Sequence, residues 1–167
     1  MKMKTADYWI EKLEMNPHPE GGYFKEVYRA EESHSAVHLP ERFGGDRSHS
    51  TSIYFLLKGD DVSKFHRIKS DEIWHFYEGA SVTIYRITPD GELINVPVGR
   101  NMENGESLQT VIPAGDWFGA EVNDPGFFSL CGCTVAPGFH FDDFELAERD
   151  KLIKEFPQHT DIITRLT

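Results

Sequence analysis

The stretch from Phe65 to Gly79 constrains the fold of this chain more than any other part of it. Its pattern is typical of one strand that ends near Ile68, a short polar turn and a second strand. Because side chains alternate across a strand, Glu72 and Trp74 lie on one face of the second strand. If the two strands pair as a hairpin, His66 lies on that face as well. The pattern therefore predicts a histidine and a carboxylate that point into one apolar, aromatic space.

Short strands and turns account for most of the remaining chain. We predict a strand over Tyr23–Arg29, a long loop over residues 30–48, and a succession of strands from Ser50 to about residue 136. The loop is either functional or a surface insert without a function. The strands after it are predicted at Ser52–Leu57, Ser81–Thr88, Glu92–Val98, Leu108–Ile112, Trp117–Val122 and Phe127–Val135. This spacing favours a β-sandwich or barrel, with its core at about 22–136.

A helix is predicted at each end of this barrel. Residues 5–15 follow a possible cap at Thr5, and a second helix is expected over about 142–156, where Asp142 and Glu145 resemble a capping box. No composition shift or linker divides the 167 residues. The chain is therefore expected to form one domain.

Charge and composition exclude several classes of partner. Acidic residues number 28 against 17 basic ones, for a formal net charge of −11, so a nucleic acid or an anionic membrane is not expected to bind. No apolar run is long enough to span a membrane, and the N-terminus lacks the apolar segment of a signal peptide. Cys131 and Cys133 are too close along one strand to pair. They could bind a metal or a redox partner, but inert buried thiols are favoured, and a cytoplasmic protein is expected.

The residues His66, Ile68, Glu72 and Gly79 resemble the first motif of the cupin superfamily, in which a second histidine stands where this chain has Ile68. Pro113–Phe118 resembles the second motif, with Phe118 where cupins carry a histidine. The flanks, among them His18–Tyr23 and Gly132–Phe139, look like a cupin subfamily of unassigned function that is similar in fold to the dTDP-sugar 3,5-epimerases. The resemblance implies an all-β cupin fold, the RmlC-like jelly roll or double-stranded β-helix, with short terminal helices.

The same resemblance bears on cofactors. Cupins usually hold a divalent metal with three histidines and a glutamate, and only His66 and Glu72 occupy matching positions here. A divalent metal at His66 and Glu72 is possible if another histidine, such as His18, His49 or His75, completes the set. Because Ile68 and Phe118 replace two ligands with apolar side chains, we expect no bound metal or other cofactor.

Three functions remain open at this point. The sugar epimerases have their catalytic base at the position of His66, which implies an epimerase- or isomerase-like enzyme with His66 as general base, Glu72 beside it and Tyr54 as the candidate acid. The alternatives are a cupin that binds a small molecule without catalysis and a metal-dependent enzyme with a reduced ligand set. His66 and Glu72 could also be a buried pair that serves only the fold.

The ligand is expected to be a small polar molecule such as an activated sugar. Arg29 could bind its anionic group, unless it pairs with Glu26 or Glu31 instead. The rings of Trp74 and Trp117 could stack on the ligand, although aromatic residues more often pack in a core. Ser52 and His75 complete the candidate binding residues.

The sequence also bears on the oligomeric state of the protein. The strand Tyr23–Arg29 lies far from the barrel in sequence and could pair with the sheet edge of a neighbouring subunit. We therefore expect a homodimer with two-fold symmetry.

Overall fold

Two antiparallel sheets form most of the computed structural model, which describes residues 4–167. The larger sheet has six strands, in the spatial order β1 (Asn16–Pro17), β2 (Tyr23–Arg29), β5 (Thr51–Lys58), β12 (Phe128–Ala136), β7 (Asp71–Gly79) and β10 (Gln109–Ile112). The smaller sheet has five, in the order β13 (Glu145–Leu146), β6 (Val62–Arg67), β11 (Trp117–Val122), β8 (Val82–Ile87) and β9 (Leu93–Val98). The expected all-β jelly roll is confirmed.

The core lies between the two sheets. Alternation along β5 and β12 turns one set of apolar side chains inward, where they meet the inner face of the smaller sheet. The residues of this cluster are buried to 8% exposure or less, and they include Phe55, Trp74, Phe76, Ile84, Phe118 and Cys131. Burial of this kind contributes roughly 1.5–3 kcal/mol for each large apolar side chain.

One expected strand pairing is wrong. β6 and β7 do not form a hairpin, because β6 pairs with β11 and β13 while β7 pairs with β10 and β12. The two strands therefore belong to opposite sheets and face each other across the barrel. His66 and Glu72 still reach one interior space, since each lies on the inner face of its own sheet.

The helices cover the outer faces of the sheets. α1 (Ala6–Lys12) is shorter than predicted and begins at Thr5, whose hydroxyl accepts a hydrogen bond from the Tyr8 amide at 3.2 Å. It packs on the outer face of the larger sheet, against Leu56 and Leu130. α2 (Arg149–Glu155) and α3 (Thr160–Arg165) pack on the smaller sheet. No helix among residues 4–167 has the length and apolar character that crossing a bilayer requires.

The predicted start of the C-terminal helix is wrong. Residues 142–156 do not form one helix, because a 3₁₀ turn at Phe141–Asp143 and the strand β13 come before α2. Asp142, the predicted cap, lies inside the 3₁₀ turn, and its neighbour Asp143 is held there by an ion pair with Arg47. The following residues, Glu145–Leu146, then pair with β6.

The predicted loop over residues 30–48 contains two short paired strands, β3 (Ser33–His34) and β4 (Arg47–Ser48), with a 3₁₀ turn at Ala36–His38 between them. Arg47 fastens this segment to the one at 137–145. Its Nε and Nη2 atoms both donate to the Asp143 carboxylate at 2.6 Å, and both side chains are buried. This pair therefore holds together two loops that border the barrel interior.

The expected strand Tyr23–Arg29 is confirmed as β2, which pairs with β5 of its own chain. β1 covers only the first part of its outer edge, at Tyr23 and Phe24. Val27 and Tyr28 are about half exposed farther along that edge. The homodimer stays a prediction.

Candidate functional site

A cavity of about 200 Å³ lies between the two sheets. Its walls are apolar, and they include Phe24, Ile53, Phe55, Val135, Phe139 and Phe144. Exposed lining residues such as Phe141 and His140 mark its opening. The polar groups inside are two histidines and two carboxyls, at His18, Glu20, His66 and Glu72. An apolar cavity with a few convergent polar groups is the usual form of a small-molecule site.

His66 is 2% exposed and has a defined tautomer. Its Nδ1 atom lies 2.7 Å from the Lys64 carbonyl oxygen, which can only accept, so Nδ1 carries a hydrogen. Nε2 lies 3.1 Å from Oε2 of Glu20. Burial lowers the pKa of His66, although the charge of Glu72 opposes this effect. Neutral His66 therefore presents the lone pair of Nε2 to Glu20.

Glu20 is the proton carrier that faces this lone pair. Burial raises the pKa of Glu20, although the charge of His18 and the hydrogen bond from Ser63 oppose the rise. The Ser63 hydroxyl donates to Oε1 at 2.8 Å, which leaves Oε2 for the proton shared with His66. Both pKa directions favour a neutral acid that donates to a neutral imidazole.

Sequence reasoning missed Glu20, because it lies in a turn without periodicity. The turn is held against β6 by a hydrogen bond of 2.8 Å from the Lys64 amide to the Glu20 carbonyl. Gly21 has φ +114°, and a Cβ atom there would lie 2.1 Å from the Val62 carbonyl oxygen. The adjacent glycine pair, Gly21 with Gly22, was the available signal, since it indicates a close approach of two backbones.

Glu72 is 8% exposed and is the least satisfied of these groups. Among residues 4–167 its carboxyl has no ion pair, and its neighbouring donors are the thiol of Cys133 and the indole N–H of Trp74, neither at ordinary hydrogen-bond geometry. Burial, followed by the charge of Glu20, raises the pKa of Glu72 to about 7, with His66 opposing the rise. The indole N–H of Trp74 also has no hydrogen-bond partner in the described part of the chain. Glu72 can therefore gain or lose a proton near neutral pH.

His18 is the fourth polar group of the cavity. Its Nδ1 atom accepts from the Glu20 amide at 3.3 Å, and its ring stands edge-on to Phe24 with centroids 4.7 Å apart. Burial lowers the pKa of His18, although Glu20 opposes this effect.

Arg29 does line the cavity, but its guanidinium is already engaged. Nε and Nη2 donate to the two carboxylate oxygens of Glu26 at 3.0 and 2.8 Å, and Nη1 donates to the Phe139 carbonyl at 3.0 Å. The alternative of an ion pair with Glu26 is the arrangement observed. An anionic group would reach Arg29 only in exchange for this partly exposed pair with Glu26.

The expected position of Tyr54 needs correction. Ile53 and Phe55 of β5 line the cavity, so Tyr54 and its neighbour Ser52 point to the outer face of the sheet. There Tyr54 packs against the α1 region and its ring lies edge-on to Tyr77, with centroids 6.0 Å apart. Neither Tyr54 nor Ser52 can touch a ligand beside His66.

His75 and the two tryptophans are also outside the cavity lining. His75 points outward, where its Nε2 atom lies 3.1 Å from the Thr134 hydroxyl. Trp74 points inward but is 1% exposed, edge-on to Phe55 in the core. Trp117 packs among the C-terminal helices, with the Arg67 guanidinium 4.4 Å from its ring. No indole face is presented to a ligand here.

The residues present do not fit the metal centre that the fold suggests. Ile68 lines the cavity and Phe118 packs against His66 with ring centroids 4.1 Å apart, so apolar groups fill two ligand positions. The Nδ1 atom of His66 is committed to a carbonyl. Within residues 4–167, no group of three or more His, Cys, Asp or Glu side chains is arranged to hold an ion.

We therefore expect purified protein to carry well below one transition-metal ion per chain, because too few donor atoms converge. Elemental mass spectrometry after incubation with Mn²⁺, Fe²⁺ or Zn²⁺ and gel filtration measures this directly. One retained ion per chain that disappears in both His66→Ala and Glu72→Gln would contradict the expectation. His75→Ala, on the outer face, is the matched control.

Comparisons with known proteins agree with this fold. The family model described as Cupin superfamily (DUF985) matches residues 7–147. An uncharacterised protein of Saccharomyces cerevisiae is 32% identical in an alignment of 157 positions that covers 87% of this chain and 76% of the yeast protein. The family match covers Glu20, His66 and Glu72.

Solved structures extend the likeness over almost the whole chain. The crystal structure of a Shewanella oneidensis protein has a TM-score of 0.90 at 41% identity and covers 99% of this chain and 98% of its own. A hypothetical protein from Leishmania major has a TM-score of 0.91 at 34% identity, over 98% of this chain and 99% of its own. Oxalate decarboxylase from Bacillus subtilis shares the fold alone, with a TM-score of 0.56 at 16% identity over 91% of this chain and 36% of the enzyme.

Proposed function

The chain belongs to the cupin superfamily (DUF985), and from that premise we propose that it binds a small molecule in its barrel and moves a proton on it without a metal. The observation that carries the proposal is the contact of 3.1 Å between His66 and Glu20, beside the buried carboxyl of Glu72 in an apolar cavity. An epimerase- or isomerase-like reaction is the class that such groups support.

Each polar group has a separate part in this reaction. An epimerase removes a proton from a carbon atom and returns one, so it needs a base and an acid. Nε2 of neutral His66 takes the proton of Glu20, and the Glu20 carboxylate that forms accepts the proton of the ligand beside the imidazolium. Glu72, with a pKa of about 7, supplies or takes the second proton. Glu72 thereby takes the acid role that was first expected of Tyr54.

A cupin that binds a ligand without catalysis is the second candidate. It is favoured because both ring nitrogens of His66 already have partners within the protein, Nδ1 with the Lys64 carbonyl and Nε2 with Glu20. In that case the pair stabilises the cavity, and Glu72 alone meets the ligand. A metal-dependent enzyme is not supported, because Ile68 and Phe118 put apolar side chains at two of the four metal-ligand positions.

Deuterium exchange tests the enzymatic proposal. Small keto compounds are incubated with the protein in D₂O, and mass spectrometry follows deuterium at carbon. We expect the wild type to catalyse this exchange on a responsive compound and His66→Ala to lose roughly 10²–10⁴-fold of the rate, the usual contribution of a general base. His75→Ala, which changes an outward histidine, should keep it.

The same variants separate a catalytic pair from a structural one. A catalytic His66 leaves the thermal midpoint within a few degrees when it is removed. If instead no compound is bound or exchanged by the wild type, and His66→Ala only loses roughly 1–3 kcal/mol of stability, the His66–Glu20 pair serves the fold. Intrinsic tryptophan fluorescence reports binding in both proteins.

A further inference from the structure

We propose that the ligand of this cavity is a small organic amine, bound as its ammonium cation with an apolar body. The inference rests on the proposed binding function of the same site and names the chemical class of the ligand. It replaces the anionic activated sugar that was expected from the sequence.

The charges that line the cavity carry the first step. Two carboxyls that can carry a negative charge, Glu26 and Glu72, line it, whereas its one permanently charged cation among the described residues is Arg29. Glu26 and the Phe139 carbonyl bind that guanidinium. A phosphate or carboxylate would therefore have to displace Glu26 from Arg29 and would lie close to Glu72, which is unfavourable in a space of low dielectric constant.

The Glu72 carboxyl carries the second step. It lines the cavity, is more than nine-tenths buried and has no ion-pair partner in the described part of the chain, and its neighbouring donors are the thiol of Cys133 and the indole N–H of Trp74. Burying a carboxylate without a strong donor or a positive charge beside it is costly. An ammonium group brings three N–H donors and a positive charge, and its hydrogen bond to a carboxylate is among the strong ones.

The walls carry the third step. Phe24, Phe55, Phe139, Phe141 and Phe144 all line the same space. Phenylalanine faces attract a cation placed within about 6 Å, and they also accommodate an aromatic or aliphatic body. The volume of about 200 Å³ admits a body of modest size and not a nucleotide. A small ammonium compound matches the negative charge of the carboxyls, supplies N–H donors to Glu72 and fits against the phenylalanine rings.

Three probes of one skeleton test the charge of the ligand: phenethylamine, 2-phenylethanol and phenylacetate. Titration calorimetry at pH 7.5 and low salt is expected to show the amine binding at least roughly tenfold more tightly than the alcohol, with no detectable binding of the acid. Glu72→Gln should weaken the amine to about the affinity of the alcohol and leave the alcohol unchanged. Glu92→Gln removes the same charge from an exposed position outside the cavity and should change neither.

The outcomes distinguish this inference from the proposed function beneath it. If the alcohol or the acid binds as tightly as the amine, or if Glu72→Gln leaves the amine affinity unchanged, the amine inference is overturned while binding in the barrel stands. If none of the three probes binds even at millimolar concentration, the amine inference is overturned, and the deuterium-exchange experiment decides separately on the proposed function. A cyclohexyl analogue of the amine is the control that separates recognition of the ammonium group from recognition of the phenyl ring.

Discussion

Replacing Asp143 with alanine is expected to lower the free energy of unfolding by about 3–5 kcal/mol, because it leaves the Arg47 guanidinium buried without its counter-ion. Both side chains are nearly inaccessible, at 4% and 3%, and the two N–H···O contacts measure 2.6 Å. Urea denaturation at pH 7 gives the loss directly. Asp142→Ala, one residue away and well exposed, is the matched control and should stay within about 0.5 kcal/mol of the wild type.

The pH dependence of this loss has a defined sign. Burial pushes the pKa of Asp143 upward, but the hydrogen bonds and charge of Arg47 outweigh it and hold the pKa below its ordinary value of 3.8. A depressed acid pKa contributes stability above the unfolded value and loses it as the pH falls through the folded one. The difference between wild type and Asp143→Ala should therefore be complete at pH 6 and shrink below about pH 4. A loss under 1 kcal/mol at pH 7 would contradict a structural role for the pair.

Replacing Glu72 with glutamine is expected to stabilise the protein at alkaline pH, by up to roughly 3 kcal/mol at pH 8. Burial and the charge of Glu20 raise the folded pKa to about 7 from the ordinary value of 4.5. A raised acid pKa contributes stability that is full below the unfolded pKa and lost as the pH rises through the folded one. The wild type should therefore weaken between about pH 4.5 and 7, and the variant should not.

Thermal melts at pH 5 and pH 8 check this prediction. We expect Glu72→Gln to melt clearly above the wild type at pH 8 and close to it at pH 5. Glu78→Gln, on the same strand but half exposed, should show no such difference. A stability cost of this kind at a functional position is common, since binding sites are often kept at the expense of stability. Equal melting curves at pH 8 would mean that Glu72 is not held in a desolvated site.

How much of this could be predicted from the sequence depends on how strongly each segment constrains its side chains. Strict alternation in β7 placed Glu72 and Trp74 on the inner face, and the position of His66 agreed with the motif. β5 is apolar on both faces, so alternation could not say which of them Tyr54 occupies. The inward choice of Ile53 and Phe55 follows from packing against the opposite sheet, which no local pattern encodes.

The other misses are contacts between residues far apart in the chain. Asp142 and Glu145 looked like a helix start, because the sequence does not show that Arg47 binds the intervening Asp143 in space. Glu20 reaches His66 only because Gly21 lets the turn approach β6 closely. Tertiary contacts of this kind override local propensity. They place Glu20 beside His66 in the cavity.

The N-terminal segment has a part on each side of the six-stranded sheet. α1 lies on the outer face against Leu56 and Leu130, and a few residues later the chain has rounded the sheet edge and delivered His18 and Glu20 to the interior. This N-terminal segment, which carries His18 and Glu20, is therefore separate in the chain from the strands that hold His66 and Glu72. A chimaera that took residues 5–22 from another member would inherit new acid–base groups while the strands holding His66 and Glu72 stayed as they are. In this architecture, new chemistry could be acquired by recombination at one end of the chain without redesign of the barrel.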